Sequence, residues 1–323
     1  MATFADASFG YDAYAAYRPV YPPTLYSEHL LPYHHGPRTL LLDLGCGPGI
    51  VTRPLSRHFT RAIGTDPSMG MLAAAVAATP AASYPNTTYH ASTAESLSFL
   101  ADGAVDLVSG AQCAHWFSYP EFWAEMARVV RPGGTVACWG YKDFVFAGNR
   151  AASRVVARYA YGRENLGPYW TQPGRGRIQG RYRCLVPPEE DWEAVERWEY
   201  ESAFADVDEE WDVELGYVKE VVADPGMTGK LVREGEVMME MEIPLGKLEA
   251  YARTWSAVHA WKKAHPERVA QEDGGSGDLV DEWFDELRQV VPEWNIEAWK
   301  DLVVDVELGH GVVCARRKGE IVE

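Results

Sequence analysis

No apolar run in this chain approaches the roughly 18–20 residues that a membrane-spanning helix needs. The N-terminal stretch MATFADASFGYDAYAAYRP has no basic segment leading into an apolar one, so a secretory leader is not expected. Basic residues are scarce: 30 Lys and Arg stand against 47 Asp and Glu, a formal net charge of −17. That balance argues against nucleic acid and anionic membrane as partners. There are only five cysteines, at 46, 113, 138, 184 and 314. They are scattered, odd in number and without metal-ligand spacing, so neither a disulfide framework nor a metal site is expected. Buried, reduced thiols in a cytoplasmic protein is the reading that follows. Internal repeats and low-complexity segments are also missing. What remains is a globular chain of 323 residues, 47% hydrophobic and 24% charged, long enough for one large domain or two.

The stretch LLLDLGCGPGIVTRPLSRHF, residues 40–59, stands out. An apolar run carries Asp43, glycines follow at 45, 47 and 49, and a helix-like pattern comes next. This predicts a buried strand, a tight turn and a helix. Glycines there let the backbone approach a ligand closely. Asp66 ends the next apolar run, RAIGTD, about 20 residues on, where doubly wound folds hold a nucleotide ribose. The turn is not the G-x-G-x-x-G of dinucleotide sites. The carboxylate of Asp43 would repel a pyrophosphate and suit a cation. S-adenosylmethionine carries both a sulfonium and an ammonium. The D-x-G-x-G-x-G pattern resembles motif I of class I SAM-dependent methyltransferases.

Strand and helix patterns alternate from 38 to 141. Strands are predicted at 39–44, 61–66, 86–91, 104–111 and 134–140, with helices at 50–59, 68–78, 119–130 and a short piece near 95–101. This is the rhythm of a parallel sheet covered on both faces. The pattern breaks after Tyr141. Helices are predicted at 148–162, 244–264 and 278–291, and a strand near 195–204. WKDLVVDVELGHGVVCARRK, residues 299–318, reads as two strands joined at Gly309–Gly311, a hairpin closing the sheet on an antiparallel edge. The expected architecture is an α/β, Rossmann-like sheet, mostly parallel with an antiparallel last strand. Residues 1–142 and 295–323 would form it, and 143–294 an inserted, mainly helical cap. Charge is uneven in that insert. Residues 189–212 hold twelve acids and one Arg, while 175–183 hold Arg175, Arg177, Arg181 and Arg183 with no acid. Clustered arginines on an acidic protein suggest a small anionic ligand.

Further segments bear a closer resemblance. YAAYRPVYP, LLDLGCGPG, AQCAHWF, CWGY, NLGPYWTQPGRGR and YARTWSAVHAWK occur in that order over residues 14–262. Together they resemble the trans-aconitate methyltransferase-like branch of the class I methyltransferases. The resemblance implies S-adenosylmethionine as cofactor and O-methylation of a carboxylate on a small di- or tricarboxylic acid. The partner is then a small anionic acid. One departure lies in ASTAESLSF, where Thr93 stands at a position that is often Asp near the adenine; backbone groups of Ala94 and Glu95 are left for that contact.

Asp43, Gly45 and Gly47 are expected beside the methionine moiety, and Asp66 on the ribose hydroxyls. Met71 is placed over the adenine, and Tyr17 and Arg18 in an arm folding over the cofactor. Gln112 ends the fourth strand, where open α/β sheets bind ligands. His115 follows as the candidate catalytic residue, donating to a carboxylate or acting as general base. Tyr14, Trp116, Trp139, Tyr141, Tyr169, Trp170, Gln172, Arg175, Arg177, Arg253 and Trp255 are the candidate substrate contacts, and His259 lies on the same later segment. A carboxylate is ionised at pH 7 and needs no base. The arginines are therefore expected to hold the non-reacting carboxylate, with neutral donors near the reacting one. Two alternatives stay open: O- or N-methylation of an aromatic natural product, and cofactor binding without catalysis. Either a monomer or a homodimer suits the sequence.

Overall fold

The computed structural model describes residues 10–205, 232–233 and 239–319. Part of the acidic run, 206–212, lies outside them. The first strand, β1 (Leu40–Leu44), is buried at every position, as a central parallel strand covered on both faces must be. It pairs in parallel with β2 (Arg61–Asp66) and β4 (Val105–Ala111). Outside β2 lies β3 (Thr87–Ala91), and β4 pairs with β5 (Val130–Phe146). The reversal of order beside β1 opens a crevice at the carboxyl ends of β1, β2 and β4.

The expected hairpin is not formed. Residues Val303–Arg317 make one continuous strand, β9, antiparallel to β5. Gly309 and Gly311 sit inside it, because other parts of the chain press against them. A Cβ on Gly311 would lie 2.2 Å from the carbonyl oxygen of Arg181. Such glycines mark close approach and not a turn.

The insert carries strands as well as its helices. β6 (Trp192–Tyr200) and β8 (Glu240–Pro244) both pair with β9, and the short β7 (Val232–Arg233) extends the sheet beyond β6. Among the described residues the order is β3-β2-β1-β4-β5-β9-β6-β7, with β8 also on β9, and β9 alone runs antiparallel to its neighbours. The insert therefore shares the main sheet. Its helices share the core as well: Phe144 of β5 stacks on Trp283 at 5.8 Å and meets Trp255 at 5.9 Å. The helix predicted over 244–264 is two, Leu245–Arg253 and Ser256–Ala264, broken at Thr254 and Trp255. No helix forms near 95–101, which is a run of turns. All five cysteines are unpaired, and four of them are buried. Among the described residues no helix is long and apolar enough to cross a membrane.

Candidate active site

The crevice at the strand ends is a single cavity with two chemically different ends. One end is built by the turn after β1. Gly45 and Gly47 adopt φ of +54° and +52°, left-handed values that disfavour side chains. A Cβ on Gly45 would lie 2.5 Å from Cβ of Cys113, whereas one on Gly47 would meet only open space. The turn thus leaves a clear approach over Gly47. The Asp66 carboxylate ties this turn to the next helix, accepting from Gly47 N at 3.0 Å and Ser68 N at 2.8 Å. Each carboxylate oxygen retains capacity for a further donor. Met71, Ser92, Thr93, Ala94 and Glu95 continue the wall. Glu95 has its carboxylate engaged by Ser118 N at 2.9 Å, so its backbone is the part free to face a base.

Asp43 lies beneath, 1% exposed, in a smaller recess that also touches Arg18, Gly45, Gly47, Gln112 and Tyr141. It accepts from Thr52 Oγ1 at 2.5 Å and Ser109 Oγ at 2.7 Å. Burial pushes its carboxyl up to about 6. A cation bound there would favour the ionised form. The affinity for S-adenosylmethionine should therefore be constant above pH 7 and weaken about tenfold on going down to pH 5, as Asp43 takes up a proton. Calorimetric titrations across that range test this, and Asp43→Asn should flatten the dependence.

The other end of the cavity is lined by Tyr14, Arg18, His115, Trp116, Tyr141, Lys142, Asp143, Trp170, Thr171, Arg175, Tyr251 and Trp255. Three consecutive residues of β5 reach it because the strand loses register with β9 between Tyr141 and Phe144. Gln112, at φ +52°, sits where β4 ends. Its amide pairs with the backbone of Tyr141, donating at 2.9 Å and accepting at 2.7 Å, and so clips β4 to β5 beneath the cavity.

Arg175 is 6% exposed and belongs to the helix Gly174–Gln179. Gly174 lets that helix rest on the His115 turn, since its Cβ would already be 3.3 Å from His115 Cδ2. The guanidinium stacks on Trp170 at 3.9 Å and pairs with Asp143 and the Tyr161 hydroxyl through Nη2. Among the described residues no acceptor reaches its Nε or Nη1. Arg18 stacks on Tyr14 at 4.5 Å and donates to the carbonyl of Thr254 at 3.3 Å; no carboxylate of the described residues pairs with it. His115 is buried, and burial, together with the charges of Arg175, Arg18 and Arg177, holds it well below the usual imidazole range. At neutral pH it is an uncharged ring.

Several sequence candidates lie elsewhere, each for a legible reason. Tyr17 is 40% exposed on the outer side of the arm, Tyr11–Tyr17, and lines neither recess. Trp139 is core, with Tyr21 edge-on at 5.7 Å. Tyr169 turns to His265, 2.9 Å from its Nε2. Gln172 accepts from Gly176 N at 3.3 Å. Arg177 donates to the carbonyls of His115 at 3.2 Å and Phe117 at 2.7 Å and stacks on Tyr119. Arg253 is clamped by Glu249 at 2.8 Å and by Asp278 and Asp281 at 2.7 Å each. His259 does not line the cavity. Of the four clustered arginines, only Arg175 reaches the site; Arg181 and Arg183 both pair with Glu199.

Sequence reasoning missed Asp143, Thr171, Tyr182 and Tyr251. Asp143 had a signal, lying two positions past Tyr141 in an extended segment. Tyr182, whose hydroxyl is 3.0 Å from His115 Nδ1, had none.

Residues 42–138 match a family model described as a methyltransferase domain. A Dictyostelium discoideum protein bearing a methyltransferase name is 33% identical over 176 residues, 54% of this chain but only 63% of that protein. A Saccharomyces cerevisiae protein named for S-adenosylmethionine-dependent methyl transfer is 23% identical over 293 residues, 89% of this chain and 90% of that one. An uncharacterized methyltransferase-like protein of Schizosaccharomyces pombe is 30% identical over 179 residues, 54% of this chain and 67% of its own length. In fold, the chain is similar to a solved structure from Anaeromyxobacter dehalogenans assigned as a type II methyltransferase. The TM-score is 0.62, with 24% identity and coverage of 93% and 98% of the two chains.

Proposed function

Since the chain belongs to the class I SAM-dependent methyltransferases, we propose that it methylates a carboxylate of a small di- or tricarboxylic acid, releasing a monomethyl ester and S-adenosylhomocysteine. The observation that carries this reading is Arg175. It is a buried guanidinium on the cavity wall, stacked on Trp170 and with Nε and Nη1 unclaimed among the described residues. Burying donors without an acceptor costs about 1–3 kcal/mol, and a carboxylate is the ligand group that relieves it best.

Bound S-adenosylmethionine supplies an electrophilic methyl on its sulfonium. Asp66, Gly47 and the backbone of residues 94–95 suit its nucleoside, and Asp43 and Arg18 its charged amino-acid end. On the acceptor side Arg175 holds one carboxylate and leaves the other to neutral donors. That division matters, because a guanidinium on the reacting oxygen would withdraw the electron pair it must donate. With the cofactor bound, the acceptor oxygen would take the methyl group from the sulfonium, whose sulfur would keep the bonding pair, and a carboxylate would have no proton to lose. What the residues contribute is alignment and exclusion of water.

A pH–rate profile tests this. With a diacid whose carboxylates are already ionised, kcat should stay flat from pH 7 to pH 9. A phenol or amine acceptor would need its proton removed, and kcat would then rise with pH through a basic limb.

A further inference from the structure

Gly140 of β5 and Gly311 of β9 stand opposite each other in the antiparallel ladder. Two glycines in register leave a recess on one face of the sheet. A corner of the chain fills it. A Cβ on Gly311 would lie 2.2 Å from the Arg181 carbonyl oxygen, and one on Gly140 would lie 2.5 Å from the Tyr182 ring and 2.7 Å from its hydroxyl. At this corner both Arg181 and Tyr182 take left-handed backbone angles, φ +52° and +58°, which are unfavourable for residues with a Cβ. The surroundings hold them there. Tyr182 N donates to the carbonyl of Arg177 at 3.0 Å, and the buried Arg197 guanidinium donates to the Tyr182 carbonyl at 3.0 Å. Arg181 is fixed in turn by Glu199 at 3.0 Å.

Strain maintained by that many contacts tends to serve a site. Here it sets one side chain. Tyr182 is fully buried, its ring lies within 20° of parallel to His115, and its hydroxyl is 3.0 Å from Nδ1. We propose that Tyr182 is a positioning residue whose hydroxyl donates to His115 Nδ1, fixing the neutral ring with its proton on Nε2, so that His115 offers the acceptor a hydrogen-bond donor and not a base.

The assignment follows from counting protons. Among the described residues, Nδ1 is the acceptor within reach of the Tyr182 hydroxyl proton. If Nδ1 carried the ring proton, the buried hydroxyl could only accept, and its own proton would have no acceptor, which is costly. A doubly protonated ring would meet three nearby arginines in a buried setting and is disfavoured. The remaining state gives the hydroxyl proton to Nδ1 and leaves Nε2–H, which no described residue accepts, on a ring that lines the cavity. A neutral N–H can orient a carboxylate oxygen while leaving its reacting pair available. This role rests on the carboxylate reading above; a phenol would need the opposite tautomer, with a bare Nε2 as base.

Nitrogen-15 NMR of the histidine-labelled protein bound to S-adenosylhomocysteine tests the proposal, with His115→Asn used to assign the signal. Nδ1 should show the shift of an unprotonated, hydrogen-bonded nitrogen and Nε2 that of a protonated one. In Tyr182→Phe the two shifts should move toward each other, and kcat should fall about tenfold with little change in the affinity for S-adenosylmethionine. A proton on Nδ1 in the unaltered protein overturns the proposal, as does a Tyr182→Phe variant with unchanged shifts and kcat. Should that variant not fold, the spectrum of the unaltered protein decides alone. A failure of the carboxylate reading shows separately, in the chemical nature of the product.

Discussion

Asp66→Ala should raise the Kd for S-adenosylmethionine about 100-fold, a loss of about 3 kcal/mol. The size follows from what one carboxylate does here. Its two oxygens already tie the glycine turn to the following helix through Gly47 N and Ser68 N. The same oxygens point into the cavity with capacity to spare, where two vicinal hydroxyls of a ribose match them. Alanine removes both functions together. Asn keeps one acceptor but turns an N–H toward another N–H, so Asp66→Asn should fall between the two, at about tenfold. Calorimetric titration reads both variants directly. An Asp66→Ala protein that binds as tightly as the parent would remove the ribose from this position.

Arg175→Ala should raise the KM for a diacid roughly 100-fold while leaving kcat within a few fold, because the interaction lost holds the carboxylate that does not react. Arg175→Lys keeps a charge but loses both the fork and the stacking on Trp170, so it should recover only part of the loss. The contrast with Arg177→Ala is the informative part. Arg177 ties down the carbonyls of His115 and Phe117. Its removal should lower Tm and disturb kcat through the His115 turn, with the KM for the acid changing less than for Arg175→Ala. Equal KM effects in the two variants would mean that the cluster binds substrate as a unit, against the geometry described here. Steady-state kinetics on the two purified variants separates the cases.

β1, β2 and β4 were legible because parallel strands buried on both faces appear in sequence as apolar runs, whereas β3, TTYHA, is a half-exposed edge strand marked by its β-branched and aromatic residues; all four end where predicted to within a residue. The end of the cavity proposed for the cofactor was legible for a related reason. Asp43, Gly45, Gly47 and Asp66 are held in place by local strand–turn geometry, so spacing along the chain translates into spacing in space. The other end was harder. Glycine was read as punctuation at 309–311, whereas Gly311 is where a second backbone crosses the sheet. The arginine run looked like one cluster, but its four residues, in a short helix and turn, go three ways: Arg175 to Asp143, Arg177 to two carbonyls, and Arg181 and Arg183 to Glu199. Arg253 could not be told from a ligand-binding arginine without knowing that Asp278 and Asp281, a capping box on another helix, would fold against it. Tyr182 reaches His115 only through a left-handed corner that no local propensity predicts.

The central claim is that the methyl group goes to a carboxylate. It is tested most directly by offering the purified protein S-adenosylmethionine carrying a labelled methyl group together with small di- and tricarboxylic acids, simple phenols and amines, and then treating each product with dilute hydroxide. The account predicts label on the acids alone, one methyl per molecule, released as methanol by hydroxide as an ester must be. Label appearing only on phenols or amines, in a form that hydroxide leaves untouched, would contradict it.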